Sequence, residues 1–144
     1  MSLSDKLKGA KDAKSEANAK AGQEFLAANA SKPGIVSLPN GVQYEVLKEG
    51  TGAKPLVTND VTCHYHGTLI DGTVFDSSVR RGSPATFPLS GVIKGWTETL
   101  VLMPLGSKWR LYIPPGLAYG DRQVSASIGP NSTLIFEVEL LGIK

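Results

Sequence analysis

The sequence predicts an α+β fold: an antiparallel β-sheet wrapped around one amphipathic α-helix, preceded by an N-terminal helical extension. Three observations carry this. Residues 1–32 are rich in Ala, Lys, Asp, Glu, Asn and Gln and hold no proline, whereas glycine and proline cluster after residue 33. Short alternating runs then recur between turn residues, the period of half-buried strands. Only Val92–Leu102 keeps a helical apolar period, with Val92, Trp96, Leu100 and Met103 on one face. The 144 residues suffice for one domain and a short appendage, since folding at this size buries roughly 70% of the unfolded surface.

In order along the chain, Ser4-Asp5 can cap the first helix, and Ala and Lys favour it. Its rough apolar stripe is Leu3, Leu7, Ala10, Ala17, Ala21, Phe25 and Ala28. Such a stripe cannot make a core alone, so the helix docks weakly, pairs with a partner helix or frays, a solvated lead-in being the simplest outcome. Ser31-Lys32-Pro33-Gly34 breaks it. Pro39-Asn40-Gly41 reads as a turn, after which Val42, Tyr44 and Val46 face inward and Gln43 and Glu45 outward. Val61–Gly67 is a strand with Val61, Cys63 and Tyr65 on one face and Thr62, His64 and His66 on the other. Asp71-Gly72 is a hairpin signal returning Thr73–Asp76 along that strand. Thr86–Leu89 is an edge strand, since Pro88 lacks a ladder donor. Lys108–Ile113 alternates again, and Thr133–Leu141 presents Leu134, Phe136, Val138 and Leu140 on one face. The long segment between Ile113 and Thr133 carries Leu117, Tyr119, Val124 and Ile128, which an idle loop would not need; it is expected to cover a pocket.

Several chemistries are excluded. Fifteen Lys and Arg against thirteen Asp and Glu give a net charge of +2, without the concentrated basic face of a nucleic-acid binder. No apolar run approaches the ~20 residues of a membrane span. The single cysteine, Cys63, precludes an internal disulfide and reads as a small core residue. His64 and His66 have the spacing of two metal ligands, but no further His or Cys exists to complete a site, so no metal is expected. Phosphate-cradling glycine motifs are absent. What is left is a β-rich domain whose large side chains, Tyr65, Phe75, Trp96, Tyr119 and Phe136, point inward, with Asp76 either a satisfied acceptor or part of a pocket rim.

Five blocks identify more. Val61-Thr-Cys-His-Tyr-His-Gly67, Gly72-Thr-Val-Phe-Asp-Ser-Ser78, Val92-Ile-Lys-Gly-Trp96, Leu117-Ala-Tyr-Gly120 and Leu134-Ile-Phe-Glu-Val-Glu-Leu-Leu141 occur in order. Together they resemble the FK506-binding-protein (FKBP) family of peptidyl-prolyl cis-trans isomerases. Gly22–Leu26, Leu38–Tyr44 and Leu47–Gly52 are similar to the bacterial macrophage-infectivity-potentiator subgroup. The resemblance implies an FKBP-type isomerase domain over residues 33–144 and an N-terminal helical segment over 1–32 that mediates homodimerisation in that subgroup. It implies a pocket floored by Trp96 and walled by Tyr65, Phe75, Val92, Ile93, Tyr119, Ile128 and Phe136. Asp76 stands at the edge, and the Ile93 N–H and Tyr119 hydroxyl are the donors to bound carbonyls. Asp76, Tyr119 and Ile93 are thus the candidate catalytic groups. Proline-containing peptides, unfolded proteins and the macrolides tacrolimus and rapamycin are the implied ligands; no cofactor, nucleic acid or membrane is. Ala85 stands where relatives carry another aromatic wall, which predicts a wider pocket there. The 121–127 loop is not the usual glycine-rich one, and Gly129 replaces a common proline.

The rival reading is a non-catalytic module that holds proline-containing chains as a chaperone or scaffold. Because residues 1–32 match nothing in the pocket, they are expected to be dispensable for turning over short peptides. The compartment is periplasmic or cell-envelope if a leader once preceded Met1, and cytoplasmic otherwise.

Overall fold

The structure is a computed structural model that describes residues 3–120, 122 and 128–144, with side chains from residue 13 onward. Its elements are helix α1 (Leu3–Ala30), strands β1 (Ile35–Ser37), β2 (Gln43–Lys48), β3 (Asp60–Leu69) and β4 (Val74–Ser77), helix α2 (Ser78–Arg81), strand β5 (Ala85–Pro88), helix α3 (Lys94–Leu100), and strands β6 (Lys108–Ile113) and β7 (Leu134–Ile143). Among the described residues the strands form one seven-stranded antiparallel sheet, ordered β1-β2-β6-β7-β3-β4, with β5 also paired to β3.

β3 pairs with three strands, β7, β4 and β5. Val61, Cys63, Tyr65 and Gly67 are buried while Thr62, His64 and His66 on the other face are half-buried. One edge of β3 pairs with β7 throughout, with Tyr65 opposite Val138. The other edge is shared: β5 takes Asp60–Cys63 and β4 takes His66–Thr68. The gap falls at Tyr65, and the Ser78 hydroxyl fills it. Ser78 Oγ accepts from the Tyr65 N–H at 2.7 Å and lies 3.2 Å from the Tyr65 carbonyl, to which it donates. A buried backbone donor left open would cost about 1–3 kcal/mol, so one serine completes what a strand would otherwise supply.

α3 packs on the concave face of the sheet, burying Trp96, Thr99 and Leu100 against Leu111, Ile113, Phe136 and Val138. It is shorter than the apolar period predicts. Val92 is extended (φ −97°, ψ 175°) and Ile93 caps the helix with ψ 149°, so both precede it as irregular backbone. Met103 is buried beyond the helix end. The Asp71-Gly72 turn forms as expected, with Gly72 at φ +91° and the Asp71 carboxylate accepting from the Thr73 N–H at 2.9 Å.

α1 docks on the opposite face, which corrects the simplest expectation of a solvated lead-in. Ala17, Ala21 and Ala28 of the predicted stripe are exposed; the docked side is Ser15, Asn18, Ala19, Gly22, Leu26 and Asn29. These positions recur at helical spacing but, Leu26 apart, are small or polar, so apolar periodicity could not find them. Asn29 is 1% exposed and donates to Gln43 Oε1 at 2.8 Å, and Gln43 Nε2 returns a bond to the Leu26 carbonyl at 2.9 Å. Phe25 meets Tyr112 at a ring separation of 6.0 Å. Gln43, predicted to face solvent, is therefore buried under α1, while Val46, predicted inward, is exposed at the free end of β2. The predicted side-chain stripe at Leu3, Leu7 and Ala10 lies outside the described side chains, and the unusual 121–127 loop lies, save Arg122, outside the described residues.

Candidate functional site

A cavity of about 460 Å³ opens between the concave sheet face and the segments flanking α3. Trp96, from the first turn of α3, lies at its base, 4% exposed. Tyr65, Phe87 and Phe136 meet the indole edge-on at centroid distances of 5.6, 5.7 and 5.3 Å and interplanar angles of 79°, 88° and 85°. Phe75 meets Phe136 at 5.4 Å and 89°. Such edge-to-face contacts match positive ring edges to negative faces and fix each ring in place. The Trp96 indole N–H is buried with no oxygen or nitrogen partner among the described residues. Gly67 permits the closeness, since a Cβ there would lie 2.6 Å from Phe75 Cζ.

The extended backbone before α3 brings Val92 and Ile93 into the wall. Tyr119 follows the 3-10 turn Pro115–Leu117, where the Gly120 N–H bonds to the Pro115 carbonyl at 2.8 Å. Ile128, 6% exposed, closes the same side. All nine residues singled out from the sequence, Tyr65, Phe75, Asp76, Val92, Ile93, Trp96, Tyr119, Ile128 and Phe136, line this one cavity.

The polar corner is a closed ring of three side chains. The Tyr65 hydroxyl donates to Asp76 Oδ2 at 2.6 Å, a short bond of the charge-assisted kind. Arg81 Nη1 donates to Asp76 Oδ1, and Arg81 Nη2 donates to the Tyr65 oxygen at 2.9 Å, the guanidinium carbon lying 5.6 Å from the Tyr65 ring centre. Partial burial opposes ionisation of Asp76, but the bonds from Tyr65 and Arg81 and the Arg81 charge outweigh it, holding the carboxyl below its usual range. Burial and the bond to Asp76 push the Tyr65 phenol up, so it stays a donor. The short α2 delivers Arg81: Ser77 caps it, accepting from the Arg80 N–H at 3.2 Å, and Gly82 ends it at φ +75°.

Two participants were missed in the sequence. Phe87 supplies the aromatic wall that Ala85 was expected to lack; Ala85 pairs with Cys63 and packs on the core. Alternation put the pair on one face, and only the register of β5 on β3 decides which of them reaches the cavity. Arg81 lies on the exposed side of a four-residue helix, where no apolar period points to it; its only signal was the Ser77 cap that starts α2.

The remaining candidates sit elsewhere. Cys63 is buried in the core and its thiol is pushed up to about 12 by burial. His64 and His66 face the outer side, with Nδ1 atoms 2.9 and 2.8 Å from the hydroxyls of Ser78 and Ser77. No three His, Cys, Asp or Glu among the described residues come together as a metal-binding group.

An aromatic cavity of this form on a sheet wrapped around one helix defines a class, and comparison with known proteins agrees. Residues 52–141 match the family described as FKBP-type peptidyl-prolyl cis-trans isomerase, and residues 1–46 match the domain amino terminal to it. The chain belongs to the FKBP-type isomerase family. It is 57% identical over 131 residues to the outer membrane protein MIP of Legionella longbeachae, covering 91% of this chain and 56% of that protein. It is 58% identical over 128 residues to the FKBP-type 22 kDa peptidyl-prolyl cis-trans isomerase of Escherichia coli K12, covering 89% and 62%. The crystal structure of FkpA from Escherichia coli superposes with a TM-score of 0.91 at 42% identity, over 95% of this chain and 64% of that one. The chain thus spans little more than half the length of the curated relatives it matches.

Proposed function

We propose that this chain is a peptidyl-prolyl cis-trans isomerase that assists protein folding by rotating X–Pro bonds in the Trp96 cavity. The observation that carries the reading is the cavity itself, apolar and aromatic but with one ordered polar corner at Asp76 and Tyr65. Rotation about an amide costs about 18–20 kcal/mol because the twisted state loses resonance. For X–Pro the two ground states lie within about 1 kcal/mol, so only the barrier needs lowering. The twisted amide carries less charge separation than the planar one. Dry aromatic walls therefore disfavour the planar state relative to the transition state while accepting the proline ring. The Ile93 N–H and Tyr119 hydroxyl hold carbonyls of the bound chain, and the Asp76 carboxylate, oriented by Tyr65 and Arg81, sets the field at the rim. Lowering the barrier by about 5 kcal/mol gives nearly four decades of rate.

Residues 33–144 carry this activity in our reading, and 1–32 form the arm. Ala17, Ala21 and Ala28 are exposed on α1, a small-residue stripe suited to a partner helix and supporting a homodimer. Tacrolimus and rapamycin compete for the cavity. The Legionella relative is named an outer membrane protein, which supports a cell-envelope location; no helix among the described residues is long and apolar enough to cross a membrane.

The test is acceleration of X–Pro isomerisation in a short peptide, with and without rapamycin. Rapamycin-sensitive acceleration is expected. Peptide binding without acceleration at micromolar protein would leave only a proline-binding module.

A further inference from the structure

No described residue of α1 lines the cavity, yet α1 grips the backbone that follows Ile128, which does. Asn18 Nδ2 donates to the Pro130 carbonyl at 2.8 Å. Asn131 Nδ2 donates to Ser15 Oγ at 2.5 Å. The backbone N–H of Asn131 in turn donates to the Gly120 carbonyl at 2.7 Å. Asn131 thus ties together the two limbs of the roof, one carrying Tyr119 and the other Ile128, and fastens both to the helix. It does so at φ +55°, the left-handed region that side chains disfavour. Asparagine tolerates that region better than most residues, and here its side chain is bonded to Ser15 of α1.

The contact is steric as well as polar. Gly22 leaves no room for a side chain against Thr133, and a Cβ on Gly129 would lie 2.7 Å from Lys14 Cε and 3.2 Å from Asn18 Nδ2. Pro130 and Gly129 are buried beneath the helix. Ser132 Oγ closes the turn onto the Gly129 carbonyl at 2.8 Å. A shift of α1 therefore moves residues 129–133 as one piece, and Ile128 with them.

We propose that Ser15, Asn18 and Gly22 are positioning residues: α1 sets the height of Ile128 and Tyr119 over the Trp96 floor, and through them the affinity for a proline-containing chain. The inference takes its substrate from the isomerase reading, but its geometry is independent of that reading. It opposes the expectation that residues 1–32 are dispensable on short peptides, because the arm holds the backbone that carries Ile128 and, through Asn131, Tyr119.

The test uses the full chain with Asn18→Ala and Gly22→Val, and Asn18→Gln as the variant that keeps a donor. KM for a short X–Pro peptide should rise about three- to tenfold in Asn18→Ala, the factor for one lost hydrogen bond. The kcat should change less, since the walls contributed by β3, β4 and α3 are untouched. Asn18→Gln should recover part of the loss. Backbone amide signals of Tyr119 and Ile128 should move in both helix variants, while those of Phe75 and Val92 on the far wall stay in place. Unchanged KM together with unmoved Tyr119 and Ile128 signals in both variants would overturn the proposal. A wild-type chain that accelerates no peptide would remove the isomerase reading alone; the amide signals would still decide whether α1 positions the roof.

Discussion

The concave and outer faces of the sheet each hold a helix, and they do so by opposite means. Under α3, Trp96, Phe87, Phe136 and Tyr65 interlock as large rings, and the Tyr65 hydroxyl meets Asp76 at the rim. Under α1, the contacts are Asn29 on Gln43, Asn18 on Pro130, and a glycine against Thr133. The first face gains stability from area removed from water and leaves a cavity. The second gains little from area and much from geometry, because each amide must meet its partner or leave a buried group unsatisfied. The ring cluster fixes orientations by shape; the buried Asn29–Gln43 pair fixes the helix by matching donors to acceptors.

The contrast can be broken most directly at its two aromatic anchors. Trp96→Ala should cost about 3–5 kcal/mol by urea unfolding, as expected for emptying a packed aromatic site. Phe25→Ala, at a half-exposed ring that meets Tyr112, should cost well under half of that. Equal losses would mean that α1 is held by area after all.

Next in size are the polar groups of the cavity. Asp76→Leu and Tyr119→Phe should each lower kcat/KM by about 1–3 kcal/mol in transition-state terms while the fold persists. Asp76→Leu also leaves the Tyr65 hydroxyl and Arg81 without their shared acceptor. Wild-type rates from both folded variants would take these residues out of the site.

On the outer face, Gln43→Ala leaves the Asn29 side-chain amide without its acceptor and removes the second bond to the Leu26 carbonyl. A loss of about 1–2 kcal/mol in unfolding free energy is expected. The double variant Asn29→Ala/Gln43→Ala should lose less than the sum of the two single variants, since the bond can be lost only once. Additive losses would show that the two amides do not act as a pair.

The smallest effect expected is that of pH. Asp76 has its folded pKa lowered, so its contribution to stability is complete above its unfolded value of ~3.9 and fades only as pH falls through the lowered folded value. The histidines lie on the outer face. A profile of kcat/KM that is flat from pH ~6 to ~8.5, and indifferent to a strong chelator, is the expected result. A bell-shaped profile, or zinc-restored activity after chelation, would return His64 and His66 to the chemistry.

How far the sequence foretold the two faces follows from the same contrast. Large apolar residues at period two announced β3 and β7, and with them Tyr65 and Phe136. The turn at Asp71-Gly72 announced the return of Phe75 and Asp76. The seam under α1 was illegible because Gly22, Asn18 and Asn29 carry no hydrophobic signal, and an alanine stripe on the exposed side drew the reading the wrong way. Arg81 and Phe87 needed register and a helix cap to place them, which are tertiary facts. Composition reports what leaves water; it does not report which amide meets which.

Cys63 has a practical consequence. It is the only sulfhydryl in the chain, sits in the interior, and its thiol is pushed up to about 12 by burial, so at neutral pH the native protein presents no thiolate to an alkylating reagent. A cysteine introduced on the exposed side of α1, at Ala17 or Ala28, would be the sole group to take a maleimide dye. Distances from such a dye to the roof of the cavity could be followed with no background from the native sulfur. Left unmodified, Cys63 is itself a clock: the rate at which a disulfide reagent consumes it counts the openings of the β3 core.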